Sequence, residues 1–454
     1  MIPPFLLQAV ERDPAADAVV TAAGTSRYAD LAGALTEWRV RLDRAGVSGG
    51  RVVSIEGDYS LDLIAALLAA IDLGCIVVPL SSDSEAHAAD FLAIAEVEFR
   101  ADCRARTIAK APVTATHPLL AEIANRKKAG LVLFSSGSSG RHKAAIHDLE
   151  ALLQKFAKLR HRYRTLIFLQ ADHIGGLNTL FYTLANGGSL IVAPDRSPES
   201  VAATIQRHRV QLLPTSPTFL NLLLMSGATE RHDISTLELI TYGTEPMPQS
   251  TLTRLNEALP GVRLLQTYGM TELGILRSQS RGPDSLWVRV GGEGYETRVV
   301  DGRLQVKAES AMLGYLNAPS PFTDDGFFET GDRVETSGDW LRILGRDSEI
   351  INVGGNKVYP AEVEDVLLQM TNVLDATVYG ESNAITGQAV ACTVRLAEPE
   401  PAAQFKLRLR QHCAPLMAAF KVPARVSVTA DPLHSSRFKR LRRPADPAPS
   451  ADRE

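Results

Sequence analysis

No stretch of this 454-residue chain approaches the roughly 18 uncharged apolar residues that a membrane-spanning helix needs, so no membrane span is expected. Cysteine is scarce. Cys75, Cys103, Cys392 and Cys413 stand far apart with no C-x-x-C or Cys/His spacing, which suggests neither a zinc site nor a disulfide framework. An excess of one charge is also missing. With 48 basic against 52 acidic residues the formal net charge is -4, too small to hold nucleic acid or an anionic membrane by bulk attraction. The opening MIPPFLLQAVERDP has no basic run before its short apolar stretch, which Gln8 interrupts and Glu11 and Arg12 close, unlike a signal peptide. With the reduced-thiol pattern, this gives a cytoplasmic expectation.

The composition, 45% hydrophobic and 22% charged, is that of an ordinary globular protein, and the length suggests two or three domains. Short runs rich in β-branched residues alternate with amphipathic stretches, the signature of an α/β architecture. Strands are expected at Val52 to Ile55, Ile76 to Val78, Leu131 to Phe134, Leu166 to Leu169, Leu190 to Val192, Leu237 to Thr241 and Arg263 to Gln266. Helices are expected at Leu61 to Leu73 and Pro198 to His208. From about Asp301 shorter strand-like segments such as Arg303 to Lys307 and Trp340 to Leu344 are divided by Gly, Asp and Asn. A second α/β block follows Gly345, with a helix at Ala361 to Gln369 and strands at Ala376 to Tyr379 and Ala389 to Arg395. The tail after Lys439, RLRRPADPAPSADRE, is rich in Pro, Ala and charge and is expected to be disordered.

The segment FSSGSSGRHKA, Phe134 to Ala144, carries the most chemistry. Its small residues let backbone N–H groups approach phosphate oxygens, while the hydroxyls of Ser135, Ser136, Ser138 and Ser139 add donors and Lys143 can neutralise charge. A flexible linker is the bland alternative, but linkers seldom follow a buried strand and end in a basic residue. The spacing is not that of a G-x-x-x-x-G-K-[ST] P-loop.

This segment resembles the phosphate loop of the acyl-adenylate-forming (AMP-binding) superfamily, which includes acyl-CoA synthetases, luciferases and the adenylation domains of peptide synthetases. Here His142 stands where that loop has proline and Ala144 where it has its last glycine. Further segments match in order: GCIVVPL (Gly74 to Leu80), QADHIGG (Gln170 to Gly176), TYGTEP (Thr241 to Pro246), QTYGMTE (Gln266 to Glu272), ETGDR (Glu329 to Arg333), GRDSEIINVGGNKVYPAEVE (Gly345 to Glu364) and SSRFKRLRR (Ser435 to Arg443). The resemblance implies an α/β fold with a large N-terminal domain of mixed sheets and helices, residues 1–344, and a small mobile α+β C-terminal domain, residues 345–454. Ser348 aligns with the family's pivot, and the Gly354-Gly355 pair with a loop that would meet the second substrate.

The resemblance also implies site roles. Ser135, Ser136, Gly137, Ser138, Ser139 and Gly140 would cradle the phosphates of ATP, with Lys143 beside them. Thr244, Glu245 and Pro246 would border adenine, Tyr268 would stack on it, Asp332 would hold the ribose hydroxyls, and Arg346 would lie near the ribose. Thr271 would contact the α-phosphate and Glu272 would help hold Mg²⁺, a role that suits a hard carboxylate ligand. His173 would gate the acyl pocket, whose walls are expected from His173 to Gly176, Ser216 to Phe219, Tyr242 and Gly269 to Met270. Lys439 would be the catalytic lysine, with Phe438 where glycine is usual; alone, the basic run would read as a solvated surface. The implied reaction converts a small-molecule carboxylic acid to an acyl-adenylate, followed by transfer to a thiol. CoA is the first candidate acceptor, the phosphopantetheine of an acyl or peptidyl carrier protein the second, and an amine the third. A non-catalytic nucleotide or acyl binder is the alternative of another class.

Overall fold

The structure, a computed structural model, describes residues 3–136 and 141–442. Strands and helices alternate through the first half, and the β-branched runs become the strands of two seven-stranded sheets. One sheet runs, in spatial order, Arg263–Gln266, Leu239–Tyr242, Leu212–Thr215, Arg164–Leu166, Ser189–Ile191, Asp17–Thr21 and Gly24–Arg27, parallel except at the last pair. The other is centred on Ile76–Leu80, Val52–Glu56 and Gly130–Ser136. The helix Leu61–Asp72 is apolar almost all round and has nine buried residues, as expected for a helix enclosed between layers. It joins the largest core cluster with Trp38, Leu31 and Leu180.

The expected strand at Leu166 to Leu169 forms instead at Arg164–Leu166. Its register is set by pairing Arg164 with Ser189 and Leu166 with Ile191, after which the chain leaves the sheet and carries Gln170 to His173 towards the strand ends. A six-stranded antiparallel sheet follows, from Ser278–Ser280 to Trp340–Arg346. Its last strand runs to Arg346, so the chain leaves this sheet only after that residue.

The C-terminal unit is an α+β layer. The long hairpin Val373–Asn383 with Gly387–Leu396 pairs with Ile351–Val353 and Arg425–Thr429. The helices Pro360–Leu367 and Ala402–Cys413 cover it through Val363, Leu367, Phe405 and Leu409. All four cysteines are free and buried. Among the described residues no helix is long and apolar enough to cross a membrane.

The start of the expected disordered tail departs from that expectation. Arg440 is buried and pairs with Glu364 at 2.8 Å and Asp375 at 3.3 Å, and Arg442 pairs with Glu364 at 2.9 Å. Composition alone read these arginines as solvated, but a buried carboxylate pair within reach gives them a folded partner. Residues 443–454 lie outside the described residues.

Candidate functional site

The glycine-rich segment links two antiparallel strands, Gly130–Ser136 and His142–Asp148, with Ser135 opposite Lys143. Gly137, Ser138, Ser139 and Gly140 lie outside the described residues. Beside the strand ends, Ser135 Oγ donates to Glu272 Oε1 at 3.1 Å and Tyr315 Oη donates to the same oxygen at 2.8 Å. Lys143 Nζ stands 5.2 Å from the centre of the Tyr315 ring. Glu272 is buried, yet among the described residues only its Oε1 is engaged, so Oε2 remains open to a cation. No cluster of three or more acidic, His or Cys side chains suited to a metal occurs among the described residues. That fits Mg²⁺, which characteristically takes one or two carboxylates and completes its shell with phosphate oxygens and water.

Thr271 and Glu272 lie in the turn of a short hairpin, Tyr268–Met270 against Gly274–Leu276. Gly269 is required there: a Cβ would lie 2.6 Å from Ile275 Cδ1 and 2.7 Å from the Gly274 carbonyl oxygen. The hairpin delivers Tyr268, whose hydroxyl donates to Asp332 Oδ2 at 2.6 Å. Arg346, cross-strand partner of Asp332, pairs with Oδ1 at 2.8 Å. Burial raises the Asp332 pKa, with Arg346 and the Tyr268 hydroxyl opposing the rise. The result is a carboxylate fixed by two donors behind the wall that carries Arg346, Glu272 and Thr271; neither Asp332 nor Tyr268, expected at the ribose and adenine, is on that wall itself.

SSRFKRLRR is no solvated run. Arg437 reaches the N-terminal domain, where its Nη2 pairs with Asp172 at 3.1 Å, and Asp172 also accepts from Ser81 and Ser84. Phe438 takes the left-handed backbone that the family's glycine would take, with φ 53°. Its ring packs between Phe168, Phe219 and His434, and its carbonyl accepts from Ser216 Oγ at 2.9 Å. The missing glycine therefore leaves the turn geometry in place. Between these anchors Lys439 projects into the cavity, exposed to it but ringed by protein. Desolvation there, followed by the Arg346 guanidinium, holds its pKa below that of an ordinary lysine, with Glu349 and Glu245 opposing.

The cavity, of about 2100 Å³, is lined from both domains, by Thr244, Thr271, Glu272, Arg346 and Lys439 among others. Glu245 and Pro246, expected beside adenine, are not on its wall. The Glu245 carboxylate is spent on the amide and hydroxyl of Thr218 and on the Arg440 amide at 3.2 Å, so it ties the lysine loop to the start of the helix Pro217–Met225.

His173 does line the cavity and caps the helix Ile174–Ala185, its Nδ1 accepting from the Gly175 amide at 3.0 Å. Burial, chiefly, with Arg437 adding, lowers its pKa to about 4. It is therefore a neutral imidazole carrying its proton on Nε2. Gly176 lets this turn close: a Cβ would sit 2.0 Å from the Gln170 carbonyl oxygen. The remaining expected walls shift by one residue. Thr215 replaces Ser216 to Phe219, and Thr241 and Gly243 flank the buried Tyr242, because side chains alternate across a strand. Gly269 and Met270 line the cavity as expected. Sequence reading missed Asn178, Tyr315 and Arg437. A helical tally from His173 would have found the first, since Asn178 lies on the face of Ile174, Gly175 and Tyr182.

Around the expected pivot, Asp347 pairs with Arg303 at 2.6 Å and Arg333 at 2.5 Å on the large domain, while Glu349 pairs with Arg442 on the small one. Ser348 stands exposed between these two clamps. Gly354 and Gly355, at φ 57° and 88°, form an exposed hairpin turn that is not part of the cavity wall.

Residues 95–316 match the model of the AMP-binding enzyme, and residues 362–437 that of the AMP-binding enzyme C-terminal domain. The chain is 33% identical over 266 residues to pyochelin synthase PchD of Pseudomonas aeruginosa, an alignment covering 54% of this chain but only about half, 48%, of that protein. It is 28% identical over 487 residues to the 2-succinylbenzoate–CoA ligase of Geobacillus kaustophilus, covering 97% of each. Among solved structures, the anthranilate CoA ligase AuaEII in complex with anthranoyl-AMP superposes with a TM-score of 0.80 at 20% identity, covering 96% of this chain and 95% of that one.

Proposed function

Since the chain belongs to the AMP-binding enzyme family, we propose that it is an ATP-dependent acid–thiol ligase that activates a small carboxylic acid as its acyl-adenylate and passes the acyl group to CoA. One observation carries the reading: Lys439, from the small domain, stands in one cavity with Glu272, Thr271 and Arg346 of the large domain, and Arg346 in turn holds the buried Asp332.

In the first half-reaction a carboxylate oxygen attacks the α-phosphorus of ATP, the bond to the bridging oxygen breaks, and pyrophosphate leaves. Negative charge gathers on the oxygens around phosphorus, and Lys439 and the Thr271 hydroxyl supply fixed positive charge and a donor there. A desolvated ammonium interacts more strongly with that charge than a hydrated one. Asp332, held by Tyr268 and Arg346 directly behind the cavity wall, is the carboxylate that would accept from the ribose hydroxyls. Mg²⁺, bound through the open Oε2 of Glu272, would neutralise phosphate charge. Neutral His173 borders the carboxylate end of the acyl site and adds no charge to compete with Lys439. In the second half-reaction a thiol sulfur attacks the acyl carbonyl, AMP leaves and a thioester forms, while the thiol proton is released.

The expected division at 344/345 falls two residues before the end of the large domain's last strand at Arg346, and the paired clamps lie just beyond it around Ser348, about which the small domain would turn between the two steps. A carrier-protein thiol is the second acceptor reading, favoured by the likeness to pyochelin synthase PchD. The test is pyrophosphate release dependent on a carboxylic acid, followed by addition of CoA or of a phosphopantetheinylated carrier. Thioester formed with CoA supports the reading, and thioester formed only with the carrier replaces the acceptor.

A further inference from the structure

One arm of the cavity follows the length of three parallel strands. It takes in Thr215 and Leu212, Thr241 and Leu239, and Thr267 and Arg263, from the site end of each strand to its start. Four residues of strand span about 13 Å, deep enough for an aryl or medium-length acyl tail. The facing wall is the helix Ile174–Ala185, which presents Ile174, Gly175, Asn178 and Tyr182.

In that wall Asn178 is held in a defined orientation. Lys155 Nζ donates to Asn178 Oδ1 at 2.6 Å and to the Ile275 carbonyl oxygen at 2.7 Å, and it has no carboxylate partner among the described residues. Lysine offers only donors in its charged form, and its neutral form would use both hydrogens on these two acceptors. The amide oxygen of Asn178 is therefore committed to Lys155, which leaves its NH₂ as the group that can face a ligand. That nitrogen meets no acceptor among the described residues, and it is not one of the sealed, unpartnered atoms of the interior.

We infer that Asn178 is a specificity-determining hydrogen-bond donor, oriented by Lys155 as a positioning residue, and that the enzyme prefers carboxylic acids with an acceptor oxygen on the tail. The inference rests on the acid–thiol ligase reading. Asn178 lies five residues beyond His173, about 7.5 Å along the helix, so the favoured acceptor is a ring hydroxyl or chain carbonyl some distance from the carboxylate. A site built to hydrogen-bond such a group discriminates strongly against analogues that lack it, because its own polar group would be left unpaired.

The experiment compares kcat/KM by pyrophosphate release for matched acids: benzoate with 3- and 4-hydroxybenzoate, phenylacetate with 4-hydroxyphenylacetate, and hexanoate with 5-oxohexanoate. The wild type is expected to favour the oxygenated member of at least one pair by tenfold or more. Asn178→Leu should bring that ratio close to one, and Asn178→Asp, isosteric but without the donor, should do the same. Lys155→Met frees the amide to rotate and should cut the ratio severalfold, a change that a merely structural loss, acting on both acids alike, would not produce. Equal use of both members by the wild type, or a ratio unmoved in the Asn178 variants, overturns the inference. Absence of turnover with every acid overturns the ligase reading instead.

Discussion

The Phe438 backbone and ring make opposing contributions that two substitutions can separate. The ring sits 5.2 Å from Phe168, 5.4 Å from Phe219 and 4.8 Å from His434, centroid to centroid. Each such aromatic pair is worth about 0.5–1.5 kcal/mol, and two of the three, those with Phe168 and Phe219, bridge to the large domain, so the ring holds the lysine loop there by roughly 1–3 kcal/mol. Against this, a side-chain-bearing residue at φ 53° costs about 1–2 kcal/mol that glycine would not. Phe438→Ala removes the ring and keeps the strain, so docking of Lys439 should weaken by roughly 1–3 kcal/mol, about 5- to 150-fold in the single-turnover rate of acyl-adenylate formation. Phe438→Gly removes both and should recover about 1 kcal/mol, making it roughly fivefold faster than the alanine variant. Rapid-quench measurement of acyl-AMP at saturating ATP and acid reads the difference. If alanine and glycine variants were equally slow, the backbone argument would be wrong. If both matched wild type, the ring would not hold the loop.

Lys439→Ala should lower acyl-adenylate formation by about 10²–10³-fold or more while leaving ATP affinity near wild type, as quench and calorimetric titration would show. Glu272→Gln should raise the Mg²⁺ concentration needed for half-maximal activity, because a neutral amide is a poorer ligand than a carboxylate. Gly355→Trp should spare carboxylate-dependent pyrophosphate release and block thioester formation; at φ 88° it also strains the turn by about 1 kcal/mol, which a melting curve would register. Glu364 is completely buried, which alone would raise its pKa, yet Arg442 and Arg440 bring it down to about 2. Its folded value lies below the unfolded one, so its contribution to stability is full above about pH 4.5 and is lost as pH falls towards 2. Acid unfolding of Glu364→Gln should lack that component.

Periodicity located the buried strands and long helices, because Val52 to Glu56 or Leu61 to Asp72 are specified by their own residues. It misplaced the Arg164–Leu166 strand, whose ends are fixed by a partner more than 20 residues away. Motif order placed Glu272, Arg346, Lys439 and His173 around one cavity, since each lies at a strand end or in a turn whose local sequence sets its geometry, while Asp332, in the middle of a strand, came out buried behind Arg346. Glu245 was legible as a loop residue but not as a tether, because its partners Thr218 and Arg440 come from two other parts of the chain. The same holds for Arg440 and Glu364, which pair across 76 residues, and for Lys155 and Asn178, whose contact depends on how a 3₁₀ turn meets a helix.

The central claim, that this cavity joins a carboxylate to the α-phosphate of ATP, is tested most directly by ATP–pyrophosphate exchange with labelled pyrophosphate across a panel of carboxylic acids. The account predicts exchange that requires both Mg²⁺ and an acid and that disappears in Lys439→Ala. Tight ATP binding without exchange for any acid, or exchange undiminished in Lys439→Ala, would contradict it.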